Sequence, residues 1–567
     1  MSAKLPPPPS GFDGRCVRRG IDENYEGVIY QYATSSYRLE KLIEPRAVIF
    51  PTDDEDVFRA IKYAKDNDVG IAIRTGGHSY CGSSSTNGAN IQLDLSRTYT
   101  DFKWENDDKT QVTLGISITL SRLQSRLRQE ERFLPTGQCS YVNLGGHLQT
   151  GGYGQQARAF GLLADYVEKV EIITAVNDKP IWVRRDVPED KPLFRAILGG
   201  SPGNFGVVIR VTLKVLKDCD HPNSRGLRGL FLYEKDTGEE GKVSGKDTLK
   251  NILDVLVKQD DKPDTAGDYD LIVSLMSRRD EEEDRPATAI VIFGQWANLG
   301  GKDQVYDPTF FNEIIKAGGG RNKFLPYRDM KLEGEKPEPM SKLCSHWVFP
   351  MIREYQLPYH KRLYLSNKDG EYLKKTEWTK WVAARVEVLE EDNNNGLHIA
   401  GQFQYVGGKN SQLGIKKADG LTSLSWRDSH FGCTLDVFYD YPGDKAKRAE
   451  LRAKPDSPES IIALDHVKQR AKAWALQNDE EGVTKGIFTT QDRRLMWGSH
   501  DHDLVAAKAF YFEDPKLYDE LSALKQKMDP HCVFTANKFS IAPHPPRLTD
   551  PLMQKVTVEQ CLAAREE

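Results

Sequence analysis

Apolar positions recur along this chain with two alternating periods. Thr52-Asp53-Asp54-Glu55 reads as a capping box, and Val57, Ile61 and Ala64 follow it at helical spacing. Residues 69–74 then read as a strand that ends in a glycine-rich turn, and residues 91–95 as a second strand beyond the serine- and glycine-rich loop 82–90. Leu120, Leu123 and Leu127 mark an amphipathic helix. Residues 167–174 and 180–184 form a predicted hairpin around Asn177-Asp178, and 206–215 a further strand. Strands alternating with helices in this way predict an α+β or α/β fold.

The stretch 218–240 is polar and rich in turn residues, as expected of a crossing between domains. Beyond it, residues 271–275, 288–295, 397–405 and 434–441 read as strands, interleaved with helix-like runs such as 249–257. Together they predict an antiparallel sheet flanked by helices. The charge block 278–285 reads as a solvated hairpin tip. A last helix opens at Asp514-Pro515, runs through Leu517, Leu521 and Leu524, and stops at Pro530.

At 567 residues the chain exceeds the size at which single cores stop growing, so two domains are expected. An apolar content of 39%, a charged content of 28% and a net charge of −5 describe an ordinary globular protein without a nucleic-acid footprint. The expected partners are small molecules. No apolar run has transmembrane length, the four successive prolines near Met1 do not belong to a secretory signal, and no N-x-[ST] acceptor occurs. These features predict an intracellular protein with no membrane partner; a mature secreted form is the alternative. The eight cysteines lack metal-ligand spacing, so no metal site is expected, and nothing in the sequence sets an oligomeric state.

Candidate chemistry is concentrated in two glycine-rich stretches. The first is Arg74-Thr75-Gly76-Gly77-His78-Ser79-Tyr80, where the glycines let backbone N–H groups turn inward toward a ligand beside the histidine. The second runs from Pro135-Thr136-Gly137-Gln138-Cys139 through Val142-Asn143-Leu144-Gly145-Gly146-His147 to Gly151-Gly152-Tyr153-Gly154. A third, Gly199-Gly200-Ser201-Pro202-Gly203, matches the spacing of a hydrolase nucleophile elbow. It lacks the N–H after the serine that an oxyanion hole needs, because that residue is Pro202, and it reads as a turn.

The two stretches resemble the berberine bridge enzyme-like branch of the vanillyl-alcohol oxidase flavoproteins, with their PCMH-type FAD-binding domain. The resemblance extends through residues 193–206 and returns at Asp529-Pro530 and 534–541, but is weak in the middle of the chain. It implies a two-domain α+β fold: an FAD-binding domain over 1–217, a substrate domain over 218–490 built on an antiparallel sheet flanked by helices, and a segment 491–567 returning to the first domain. It also implies FAD bonded to His78 through the 8α-methyl and to Cys139 through C6. Arg74, Thr75, Gly76, Gly77, Ser79, Val142, Gly145, Gly146, His147, Gly151 and Gly152, with Asn537 and Phe539, are the other implied cofactor contacts. Val142 falls where the family sets oxygen access.

Tyr80 and Tyr153 fall where the family places active-site tyrosines, and the strand containing Asp436 and Tyr439 is the one from which it projects a polar group over the flavin. Strand alternation sends those two side chains to opposite faces, so only one can do so; Asp436 is the first choice. Residues 495–501 depart from the family's tyrosine-containing pattern, with His500 as a possible replacement or an ordinary loop residue. The implied activity is that of an FAD-dependent oxidase, moving a hydride from a small molecule to flavin N5 with molecular oxygen as acceptor. The expected substrate is an intracellular secondary metabolite or alcohol. A carbohydrate oxidase forming a lactone and a flavin-binding protein without turnover are the alternatives.

Overall fold

The computed structural model describes residues 12–32, 43–233, 243–280, 285–319, 336–346, 358–366, 377–391, 396–488, 511–512 and 514–542. Its first sheet holds β1 (Arg15–Arg18), β2 (Ala47–Phe50), β3 (Ile71–Arg74) and β4 (Ile91–Asp94) in the order β1-β2-β4-β3. β2 and β3 each run parallel to β4, and β1 is antiparallel to β2. The helix Asp54–Asp66 makes the crossover between β2 and β3 that parallel strands require. Its cap sits one residue later than the sequence pattern suggests: Asp53 accepts from Asp56 N at 2.9 Å, while Thr52 donates from N and Oγ1 to the Asp56 carboxylate. Two acidic residues in succession allowed the later choice.

The second sheet is antiparallel, with β5 (Phe102–Trp104), β6 (Gln111–Gly115), β7 (Val167–Ile173), β8 (Ile181–Arg184) and β9 (Val207–Lys214) ordered β5-β6-β9-β7-β8. The helix Leu120–Arg128 buries Leu120, Leu123 and Leu127.

A third, seven-stranded antiparallel sheet carries β10 (Arg225–Leu232), β11 (Tyr269–Asp280), β12 (Arg285–Trp296), β13 (Tyr359–His360), β14 (Leu363–Leu365), β15 (Leu397–Tyr405) and β16 (Phe431–Tyr439). The order is β10-β12-β11-β15-β16-β13, with β14 also paired to β16. β10 lies inside the stretch whose composition suggests a crossing, because its two glycines and two arginines mask an edge strand. Pairing of β11 with β12 runs out to Asp280 and Arg285, and the hairpin tip 281–284 lies outside the described residues. Helices Gly245–Asp260, Glu377–Glu391 and Pro458–Asp479 accompany this sheet.

Buried apolar side chains form two large clusters. One gathers the first two sheets together with Leu517, Tyr518, Leu521, Val533, Phe534, Phe539 and Ile541, so residues 517–541 pack with the N-terminal half. The other gathers one face of the third sheet and its helices. Between them, buried Arg158 donates to the carbonyls of Gly407 (2.8 Å) and Ala266 (3.1 Å), while Asp270 accepts from the backbone N–H of Arg158 (2.8 Å) and Ala159 (3.2 Å).

Candidate active site

β3 delivers the first glycine turn, and the turn before the helix Leu144–Gln149 delivers the second. The two pack against each other. A Cβ on Gly76 would lie 3.0 Å from Asn143 Oδ1, and one on Gly145 would lie 2.8 Å from Ile116 Cγ1 and 3.0 Å from Thr75 Cγ2. Glycine there brings backbone against backbone and His78 toward Cys139. Arg74 is paired with buried Asp94 and donates to the carbonyls of Tyr30 (2.9 Å) and Val28 (2.6 Å). It therefore holds the segment that precedes Tyr32.

His78 and Cys139 lie at the two ends of one aromatic ring. Tyr32 stacks on the His78 imidazole at 4.8 Å and 27°, and the Cys139 sulfur is 3.5 Å from the Tyr32 hydroxyl. Tyr80 meets the other side of His78 edge-on, with centroids 5.4 Å apart.

Several implied cofactor contacts serve the chain itself. His147 Nε2 accepts from Gly137 N at 3.0 Å, and burial pushes its pKa down to about 4, so the ring is a neutral clasp on the Cys139 loop. Gly151 and Gly152 approach Leu424 and Leu163, where protein packing fills the space a Cβ would need. Ser79 Oγ bonds Ser83 Oγ at 2.8 Å. Asn537 Nδ2 donates to the carbonyls of Ser83 (3.0 Å) and Ser85 (3.1 Å), and buried Phe539 donates its N–H to Asn537 Oδ1 at 3.1 Å. These two support the loop after Tyr80. Val142 is half-buried in the turn with Cys139, its N–H donating to the Cys139 carbonyl at 3.2 Å. Gly146 has nothing within 4 Å of the Cβ it lacks.

The third sheet supplies the opposite wall. Alternation along β16 places Gly432, Thr434, Asp436 and Phe438 on one face, and Phe431, Cys433, Leu435, Val437 and Tyr439 in the apolar core. The first face looks toward the glycine turns, since a Cβ on Gly432 would stand 3.3 Å from the Tyr153 hydroxyl. Tyr439 points away, stacked on His360 at 5.9 Å. Asp436 accepts from Lys361 Nζ at 3.0 Å and from Arg362 N at 3.3 Å. Lys361 Nζ in turn lies 4.2 Å from the centre of the Tyr80 ring, a cation–π distance. Tyr359 continues the wall, 6.1 Å from Tyr80 and 5.1 Å from Phe438.

Tyr153 donates to Gln404 Oε1 and meets Trp426 edge-on at 5.7 Å; burial pushes its phenol well up, which makes it a donor and not a base. Gln404 Nε2 donates to the Gly154 carbonyl at 3.0 Å, and Gln402 Nε2 to Gln138 Oε1 at 3.2 Å. Lys361, Tyr359, Gln402, Gln404 and Tyr32 are not singled out by the sequence. The one signal for Lys361 is its position just before the apolar alternation Leu363-Tyr364-Leu365. His500 lies outside the described residues.

Residues 45–178 match the family model described as "FAD binding domain". This part of the chain is an FAD-binding domain. The chain is 34% identical over 183 residues to berberine bridge enzyme-like 12 of Arabidopsis thaliana, a match covering 32% of this chain and 34% of that protein. It is 31% identical over 208 residues to FAD-linked oxidoreductase sorD of Penicillium rubens, covering 35% and 42% respectively. The chain thus spans about a third to two fifths of the length of these curated relatives.

Solved structures extend the likeness of fold to nearly the whole chain. 6-Hydroxy-D-nicotine oxidase from Arthrobacter nicotinovorans superposes with a TM-score of 0.65 at 17% identity, covering 94% of this chain and 99% of that one. Glucooligosaccharide oxidase from Acremonium strictum, described with a 6-S-cysteinyl, 8α-N1-histidyl FAD, superposes at 0.64 and 18% identity, covering 94% and 98%. The fold is the two-domain α+β fold of these solved oxidases.

The residues of the FAD-binding domain fit its cofactor. The imidazole and the thiol both border the ring of Tyr32, so the two groups stand within the span of one aromatic ring. Among the described residues no cluster of metal-ligating side chains occurs, and no helix is long and apolar enough to cross a membrane.

Proposed function

We propose that this chain is an FAD-linked oxidase that holds its flavin through His78 and Cys139 and oxidises a small molecule, with molecular oxygen as final acceptor. The observation that carries the reading is the placement of both attachment residues against a single ring, facing the Lys361–Asp436 pair. FAD, when bound, supplies the hydride acceptor.

The chain's own residues do the rest. His78 and Cys139 fix the cofactor in orientation. Asp436 takes the proton released from the substrate O–H or N–H group as the carbon loses hydride, and Lys361 holds that carboxylate in place. Tyr153, locked to Gln404, closes one side of the site.

The wall also bears on substrate class. Gln402 and Gln404 spend amide hydrogens on Gln138 and Gly154, whereas Tyr80, Tyr359 and Phe438 present rings. This favours a flat aromatic or polyketide-like alcohol over a sugar, whose hydroxyls need unspent partners. The carbohydrate reading draws on the glucooligosaccharide oxidase likeness.

The test has two parts. Acid-precipitated protein should stay yellow, with one flavin joining the His78 and Cys139 peptides by mass spectrometry. Anaerobic mixing with phenolic alcohols, polyketides and oligosaccharides should bleach the flavin with the first two classes. Flavin lost wholly to the acid supernatant would refute the attachment, and bleaching by oligosaccharides alone would reverse the substrate class.

A further inference from the structure

We propose that Asp270 is a positioning residue for the active site: from the third sheet it caps the short helix Ala157–Phe160 of the FAD-binding domain, and through that helix it sets where the Tyr153 phenol stands. The proposal rests on Tyr153 closing one side of the site, as proposed above.

The segment that carries Tyr153 has little of its own to hold it in place. Gly151, Gly152 and Gly154 surround the tyrosine, and the first two stand at φ +100° and +74°, so the local backbone offers little stiffness. The helix that follows is one turn long, too short to be stable from its own hydrogen bonds. Its N-cap residue, Gln156, makes no side-chain cap; that side chain donates instead to the Cys344 sulfur at 3.3 Å. The two N–H groups that a cap normally serves, those of Arg158 and Ala159, go to the two oxygens of Asp270 at 2.8 and 3.2 Å. The cap therefore comes from a strand of the other domain, 112 positions beyond Arg158.

The sheet register ties this cap to the site. Ile272 lies opposite Gln404, so Asp270, two residues before Ile272 on β11, shares the sheet face from which Gln404 accepts the Tyr153 hydroxyl and donates to the Gly154 carbonyl at 3.0 Å. One face of one sheet thus grips the segment at both ends, Gln404 at 153–154 and Asp270 at 158–159. Arg158 reinforces the far end: its guanidinium donates to the Gly407 and Ala266 carbonyls and lies 4.3 Å from the centre of the Tyr405 ring. Asp270 is fully buried with both oxygens spent on backbone, so it acts through the segment and not on a reacting atom.

Burial pushes the Asp270 pKa up to about 7, so the test is run at about pH 8, where both oxygens accept. The full chain, as isolated with its flavin, is compared with Asp270→Asn, a near-isostere that leaves one acceptor for two N–H groups. By hydrogen-exchange mass spectrometry the Arg158 and Ala159 amides should exchange at least about tenfold faster in the variant, the loss expected for one hydrogen bond to a charged group. Peptides 207–214 and 431–439, in the cores of the two domains, should exchange as in wild type. Tyr153 is read separately, by fluorine NMR of protein made with fluorotyrosine, its resonance being the one absent from Tyr153→Phe. The change in that resonance between H2O and D2O reports exposure of the ring. It should grow in Asp270→Asn, in the same direction as in Gln404→Ala, which frees the phenol directly.

Unchanged exchange at Arg158 and Ala159 overturns the cap. Fast exchange there beside a Tyr153 resonance that does not move also overturns the proposal, by confining Asp270 to the helix. Loss of protection across 207–214 and 431–439 overturns it too, by making Asp270 a residue of general stability. Should Asp270→Asn fail to fold, Asp270→Glu, which sets both oxygens one methylene farther out, should displace the same resonance, and a resonance left in place counts against the proposal. None of these readouts needs a substrate or a particular flavin linkage. Flavin lost to acid, or no bleaching in the substrate screen, refutes the function proposed above while the placement of Tyr153 is still decided.

Discussion

Lys361, in the link between β13 and β14, and Asp436 on β16 face each other at 3.0 Å, both about 8% exposed at the side chain, with the lysine's charge over the ring of Tyr80. A pair this buried is costly to break from one side. Lys361→Met should destabilise the protein by about 3–5 kcal/mol, because the buried Asp436 carboxylate loses its cation. Lys361→Met combined with Asp436→Leu should recover most of that loss. Urea unfolding of the two variants beside wild type checks both statements.

Asp436→Asn keeps the shape of the side chain and removes its basicity. With a true substrate, anaerobic flavin reduction should slow by at least about a hundredfold, the low end for loss of a general base. Tyr439→Phe, altered in the core behind the sheet, should reduce its flavin at the wild-type rate. Stopped-flow absorbance separates the two, and a slow Tyr439→Phe beside a normal Asp436→Asn would exchange their roles.

Val142 shares its turn with Cys139. One added methylene in a packed site is poorly absorbed, so Val142→Leu should slow reoxidation of the reduced protein by oxygen and leave flavin loading intact. Equal reoxidation rates in two fully loaded proteins would remove Val142 from the oxygen path.

His147 should make the protein sensitive to mild acid. Its folded value, about 4, lies below the ordinary 6.5, so in that window the unfolded chain binds the extra proton. Stability therefore falls as pH drops from about 6.5 toward about 4, by at most about 1.4 kcal/mol per pH unit, and this contribution is level below. His147→Gln removes the titration, and its stability should change less across the same range. Thermal melts at successive pH values make the comparison.

Much of the fold is legible in the sequence because its elements are amphipathic. The helix carrying Leu120, Leu123 and Leu127 and the strand carrying Asp436 each write their period into the order of residues. β10 does not, since an edge strand with Gly226, Arg228 and Gly229 shows no clean alternation. The site divides in the same way. The glycine turns signal themselves through composition, whereas Lys361 earns its place only through a side-chain contact between residues 75 positions apart. Tyr32 is likewise defined by what lies across the turn from it, and its own neighbours in the chain say nothing of a thiol.

The bonds from Asn537 to the carbonyls of Ser83 and Ser85 join residues more than 450 positions apart. During synthesis His78 and Cys139 emerge from the ribosome long before the side chain that closes the loop beside them. A nascent chain therefore carries both proposed attachment residues with that loop still unclamped until residue 537 has been added. On the proposed attachment, flavin capture belongs to the last stage of maturation, and a chain truncated before Asn537 should emerge without its colour even though His78 and Cys139 are both present.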